Sequence, residues 1–169
     1  MPSSHTDGKP LSMSWVKKLN PTTVLDVGAG VGTYAIEMKK SGIRPPRIDA
    51  IEVWQPYIDK YDLETMYDKV FKVDAREWDD WNYDLVILGD ILEHMTKEEA
   101  LAIWDKISKQ ASAAIISIPI IHCPQGHSDD NPYEEHIKED WTSKEVLESF
   151  TGIVDHCDFP VVGVYLARF

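Results

Sequence analysis

The stretch Val24-Leu25-Asp26-Val27-Gly28-Ala29-Gly30-Val31-Gly32-Thr33 constrains this chain more than any other. An apolar, β-branched run ends in three alternating glycines, and residues 34–40 then read as helix. A strand that hands a glycine turn to a helix N-terminus makes a cradle for a ligand at the carboxyl end of a parallel strand. Glycine lets the backbone turn tightly and come close to that ligand, where a side chain would intervene. In the dinucleotide-binding fingerprint the third glycine falls three residues after the second. Here Gly32 follows Gly30 by two, and Thr33 stands in the expected place. Asp26 adds a carboxylate inside a strand that should be buried. An unpaired charge there is costly, so it needs a partner, and a cationic ligand group would serve.

The rest of the chain alternates in the same way. Leu11, Trp15 and Leu19 share one face of a helix over 11–19, which Asn20-Pro21 ends. Strands are expected at 47–53, 69–74, 84–88 and 113–120, the last a nearly continuous apolar run suited to a sheet covered on both faces. Pro56 opens a helix over 56–67. Thr96-x-x-Glu99 and Thr142-x-x-Glu145 are capping boxes for two more helices, the second with Trp141 and Val146 as a hydrophobic staple. Two apolar segments, 153–158 and 161–169, flank Pro160. This order predicts a doubly wound α/β fold. A length of 169 residues suits one domain over 1–169, with the polar residues 1–8 disordered.

Composition excludes some functions. No stretch approaches the roughly 20 apolar residues of a membrane span, and no apolar signal core precedes the first helix. Cys123 and Cys157 form no metal-type pair and read as reduced, cytoplasmic thiols. A net charge of −12 repels phosphate backbones and argues against DNA or RNA as substrate.

The stretch 24–33 resembles motif I of the class I S-adenosylmethionine-dependent methyltransferases, in which an apolar strand and an acidic residue precede Gly-x-Gly-x-Gly. The resemblance implies that Asp26 serves the amino group of the cofactor's methionine end. It implies that Gly28, Ala29, Gly30 and Gly32 pass beneath the methionine and ribose. Glu52 follows about twenty residues on, at a strand's end, where an acidic residue is placed to bind both ribose hydroxyls. Val53 and Trp54 stand where the family lays apolar side chains against the adenine. Asp74, beside Ala75, fits the position that accepts a hydrogen bond from the adenine amino group. Gly89 and Asp90 are delivered to the same edge of the sheet. Over residues 22–169 the resemblance implies a Rossmann-like sheet, mostly parallel, with an antiparallel C-terminal strand, and S-adenosyl-L-methionine as cofactor.

Methyl transfer from a sulfonium depends mainly on holding the acceptor in line, with a base only where the acceptor must lose a proton. Asp90, His94 and His136 are the candidates for catalysis. Asp90-Ile91-Leu92-Glu93-His94 resembles the Glu-x-x-Glu-His motif by which some methyltransferases bind a divalent metal, with Asp90 in place of the first glutamate. The same residues also make a capping pattern for one helical turn, and no metal ligand is expected. The polar connection over 121–136 is too long to be idle and, in this fold, would hang over the cofactor and shape the acceptor pocket. Its three histidines and cysteine match no zinc spacing. The expected protein is therefore a cytoplasmic methyltransferase with a small-molecule acceptor, oxygen favoured over nitrogen or carbon, and a homodimer is left open. Two alternatives stand beside it: a non-catalytic cofactor-binding module acting through a protein partner, and a nicotinamide-nucleotide-dependent oxidoreductase.

Overall fold

The computed structural model describes residues 5–127 and 130–169. Residues 1–4 of the expected disordered start, and Ser128 and Asp129 of the 121–136 connection, lie outside the described residues. Among the described residues seven strands form one sheet in the order β3-β2-β1-β4-β5-β7-β6. These are β1 (Thr23–Val27), β2 (Arg47–Ile51), β3 (Lys69–Phe71), β4 (Leu85–Gly89), β5 (Ala113–Pro119), β6 (Ile153–Asp158) and β7 (Val162–Arg168). The first five pair in parallel, while β7 runs antiparallel to both β5 and β6. The expected doubly wound sheet with an antiparallel C-terminal strand is the observed one.

Strand periodicity divides the core in two. Leu25, Val27, Val86, Leu88, Ala114 and Ile116 pack on one face with Ala100, Ile103, Trp104 and Ile107 of α5 (Lys97–Gln110). Trp141, Val146 and Phe150 join that face through α6 (Ser143–Ser149) and its flanks. Val24, Leu85, Ile87, Ala113 and Ile115 turn to the other face, against α1 (Lys9–Leu19) and α2 (Thr33–Lys40). Successive side chains on a strand point to opposite faces, so a sheet buried on both sides needs apolar residues at every position. β4 is buried throughout and β5 through Ile118. Each box threonine accepts from its N3 backbone, Thr96 from Glu99 and Thr142 from Glu145, and the reciprocal glutamate bond is present at Thr96.

Three elements depart from expectation. The helix expected over 56–67 is two, α3 (Gln55–Lys60) and α4 (Leu63–Met66), because Asp62 sits in the left-handed region at φ 51°. Aspartate tolerates that conformation, which interrupts the helical ladder and turns Leu63 and Tyr67 inward. β3 stops at Phe71, since Val73 N–H bonds back to the Phe71 carbonyl and Asp74 caps a 3₁₀ turn at Ala75–Glu77. From His5 onward the start of the chain is placed: His5 N–H donates to Asp90 at 2.6 Å, and Gly8, at φ 77°, precedes α1.

Candidate functional site

The carboxyl ends of β1, β2, β3, β4 and β5 meet a cavity of about 260 Å³ at the point where strand order reverses between β1 and β4. Open α/β sheets bind ligands at such a switch point. Its floor is the glycine turn. Gly28 and Gly30 adopt φ of 69° and 53°, and Gly28, Ala29 and Gly30 line the cavity. Gly28 and Ala29 donate their N–H groups to the Ile51 carbonyl, at 2.9 and 3.2 Å, which binds the turn to the end of β2.

Glu52 leaves β2 at that point, only 5% exposed. One carboxylate oxygen accepts from Gly30 N–H at 2.9 Å, the other from Trp54 N–H at 2.8 Å. Burial raises its carboxyl above the ordinary value, against these backbone donors. Ile51, Val53, Val73 and Ala75 supply an apolar wall. Asp74 stands beside them and is gripped by Arg76, whose Nη2 lies 2.6 Å from one oxygen and whose Nε and backbone N–H each lie 2.9 Å from the other. Burial alone would raise the Asp74 carboxyl, but the Arg76 contacts outweigh it and hold it below its ordinary value.

The opposite wall comes from the turn after β4 and from the 121–136 connection. Asp90 takes φ 56°; its N–H donates to the Ser117 carbonyl, and its carboxylate accepts from Ser117 Oγ at 2.8 Å and His5 N–H at 2.6 Å. Glu93 is 2% exposed, and its Oε2 has no hydrogen-bond partner. Burial, reinforced by the Asp90 charge, pushes the Glu93 carboxyl well above its ordinary value. The His94 and His136 rings meet edge to face, 4.8 Å between centroids. Burial holds the His94 imidazole down at about 4, against the Glu135 carbonyl that contacts its Nδ1, so it is neutral at pH 7. Among the described residues Glu93, His94 and His136 each offer one ligand atom, and these lie within 4.8 Å of one another, close enough to converge on one cation.

Of the residues singled out in the sequence, Gly28, Ala29, Gly30, Glu52, Val53, Asp74, Ala75, Gly89, Asp90, His94 and His136 all line this cavity. Asp26, Gly32 and Trp54 lie outside its lining. Asp26 is 2% exposed, and its partner is the Tyr67 hydroxyl, which donates to Oδ2 at 2.6 Å. No cation from a ligand is needed to account for it. Burial raises the Asp26 carboxyl to about 7, opposed by the Tyr67 bond and the charge of Lys9. Gly32 caps α2, and a Cβ there would meet Met66 Sδ rather than the cavity. Trp54 contributes its N–H to Glu52 and faces the Tyr133 ring, 6.2 Å away. Asn131 and Tyr133 line the cavity from the connection expected to shape it, while sequence reasoning missed His5 on the wall and Tyr67 as the partner of Asp26. No spacing marks them. Their neighbours come from distant parts of the chain.

This fold and this edge define a class: the chain has the fold of the class I S-adenosylmethionine-dependent methyltransferases. No protein-family model matches it, and no curated protein matches it. Solved structures do. A candidate O-methyltransferase of Nostoc punctiforme is 18% identical with a TM-score of 0.72, over 96% of this chain and 56% of that one. The present chain thus spans little more than half the length of that protein. The N-terminal domain of EvdMO1, with S-adenosylhomocysteine bound, is 11% identical with a TM-score of 0.69, over 98% and 82% of the two chains. The 1,6-didemethyltoxoflavin-N1-methyltransferase of Burkholderia thailandensis, holding 1,6-didemethyltoxoflavin and S-adenosylhomocysteine, is 18% identical with a TM-score of 0.65, over 96% and 78%.

Proposed function

We propose that the chain is an S-adenosylmethionine-dependent methyltransferase with a small-molecule acceptor. The observation that carries the reading is the clasp between Glu52 and the glycine turn. Glu52 lines the cavity while Gly30 and Trp54 N–H groups orient its two oxygens. A carboxylate has about four lone-pair sites, so capacity remains for two ribose hydroxyls. The turn of Gly28–Gly30 beside it, with no side chain larger than a methyl, admits the methionine end, and the wall of Val53, Val73 and Ala75 admits an adenine. These residues fit the cofactor. Asp74, though held by Arg76, lies at the cavity and can accept from an adenine amino group. Asp26, capped by Tyr67, supports the turn from beneath in place of direct contact.

When bound, the cofactor supplies a methyl group already activated on a sulfonium. The chain's task is to hold the acceptor's lone pair in line with that group and to exclude water. Asp90, His94 and His136 stand on the acceptor side, where they orient an acceptor or receive its proton. An oxygen acceptor is our reading, since ionisable partners surround that wall. A cytoplasmic setting goes with it, in keeping with the free thiols of Cys123 and Cys157.

The test is label transfer from methyl-labelled cofactor to a panel of small hydroxyl- and amine-bearing molecules, with an RNA oligonucleotide alongside. Label should reach a small molecule, and Asp90→Asn or His94→Ala should lower turnover at least tenfold with cofactor affinity kept, about 1.4 kcal/mol at the transition state. Transfer to RNA alone, or tighter binding of a nicotinamide dinucleotide than of S-adenosylhomocysteine, would overturn the reading.

A further inference from the structure

The acceptor side of the cavity gathers negative charge without a matching cation. Asp90, Glu93 and Glu134 line it together. Arg76 is the one lysine or arginine among the described residues of the lining, and it is held by Asp74 at 2.6 Å and Glu99 at 3.2 Å. Lys9 is buried outside the lining, where its Nζ donates to the Tyr34 hydroxyl at 3.0 Å. Its one charge serves Asp90, Asp26, Glu93 and Glu37 together. His94 is neutral at pH 7 and brings none. Asp90 accepts from two neutral donors, Ser117 Oγ and His5 N–H, which leave its charge uncancelled. Glu93 is the decisive group: it is 2% exposed, stands at the cavity wall, and its Oε2 has no hydrogen-bond partner. Buried carboxylate oxygens find donors as a rule, because one left without a donor bears its full desolvation cost. An alkylammonium brings three N–H donors and the charge that this wall lacks. In the same cavity Ile91, Met95 and the Tyr133 ring give an apolar lining suited to an aromatic body.

We propose that the acceptor is a hydroxylated aromatic amine, held by its protonated amine at Glu93, with Asp90 and Glu134 adding to the attraction. This inference rests on the methyltransferase reading and names the acceptor class for that same site. The amine is a handle and takes no part in the bond changes. Neighbouring carboxylates keep an ammonium in its charged form, and a charged ammonium has no lone pair with which to attack the methyl group. The hydroxyl is left as the nucleophile. An acceptor bearing a carboxylate in place of the amine would meet repulsion from the same three groups, so the wall selects by charge as well as by shape.

The test is calorimetric binding to the full chain with S-adenosylhomocysteine already in place and EDTA present, so that neither the cofactor's own amine nor a metal ion stands in for the ligand's. The probes are tyramine and meta-hydroxybenzylamine, each beside one counterpart with hydrogen and one with carboxylate in place of the amine. At least one amine should bind about tenfold tighter than both of its counterparts. Glu93→Gln, checked for a melting curve like the parent's, should cut that preference to below about threefold while S-adenosylhomocysteine binds as before. Glu134→Gln, at a half-buried position, should narrow the preference in the same direction. No amine binding at millimolar concentration, counterparts that bind as well as the amines, or a preference unmoved in both variants would overturn the inference. Any of these results with S-adenosylhomocysteine bound removes the amine handle alone and leaves the methyltransferase reading standing. Failure of the parent to bind S-adenosylhomocysteine would remove both.

Discussion

Asp26 shows how a single buried group can shape the behaviour of the whole chain. Its carboxyl is raised from 3.8 to about 7, by burial first, with the Tyr67 hydroxyl and Lys9 pulling the other way. The folded state therefore keeps a proton that the unfolded state releases near pH 4. Where the native state binds more protons, stability falls as pH rises. The contribution of Asp26 is fully present below about pH 4 and is lost as pH climbs through about 7. Melting curves between those limits should slope downward, and Asp26→Asn should flatten the slope by removing its share. Tyr67→Phe takes away a side-chain donor to that carboxyl and should lower stability by about 1–3 kcal/mol. A Tyr67→Phe variant as stable as the parent would contradict this account. The sequence makes Asp26 conspicuous, since a charge in an apolar strand demands a partner. It does not reveal Tyr67, which lies 41 residues away, just past the short helix that follows the left-handed Asp62.

At the scale of elements, the strands and helices that bury a whole face were the legible ones. β1, β4 and β5 follow from their apolar runs, and α5 from its capping box and the burial of Ala100, Ile103, Trp104 and Ile107. What could not be read were the short departures: the left-handed Asp62 between α3 and α4, the early end of β3, and the 3₁₀ turns that aim Asp74 and Glu93. Each rests on one residue's backbone choice, settled by tertiary contacts and not by periodicity. The cofactor half of the cavity was legible because strand ends and glycine turns recur at readable spacings. The acceptor half was legible in part: the run 90–94 and the 121–136 connection with His136 stand on its wall as expected, whereas His5, from the start of the chain, carried no signal. One junction offers a sharp test. A Cβ on Gly89 would overlap the ring of Tyr34, which packs from α2 against the end of β4. Gly89→Ala should cost about 1–3 kcal/mol in urea unfolding through that overpacking. An unchanged midpoint would show that the ring and strand end do not meet as described.

Across the whole molecule, the sheet gathers five parallel strand ends at one edge, and the cavity opens there between a glycine floor and the connection after β5. The chain carries a net charge of −12, and Glu52, Asp90 and Glu93 bring three carboxylates to the cavity. Among the described residues no helix is long and apolar enough to cross a membrane. The central claim is that this edge holds S-adenosylmethionine through Glu52 and the turn it clasps. Calorimetric titration with S-adenosylhomocysteine, on the intact chain and on Glu52→Ala, tests it most directly. The account predicts one site per chain, weakened about tenfold to a hundredfold in the variant, the worth of hydrogen bonds to a charged group. No binding to the intact chain at millimolar ligand, or equal binding to both proteins, would contradict it.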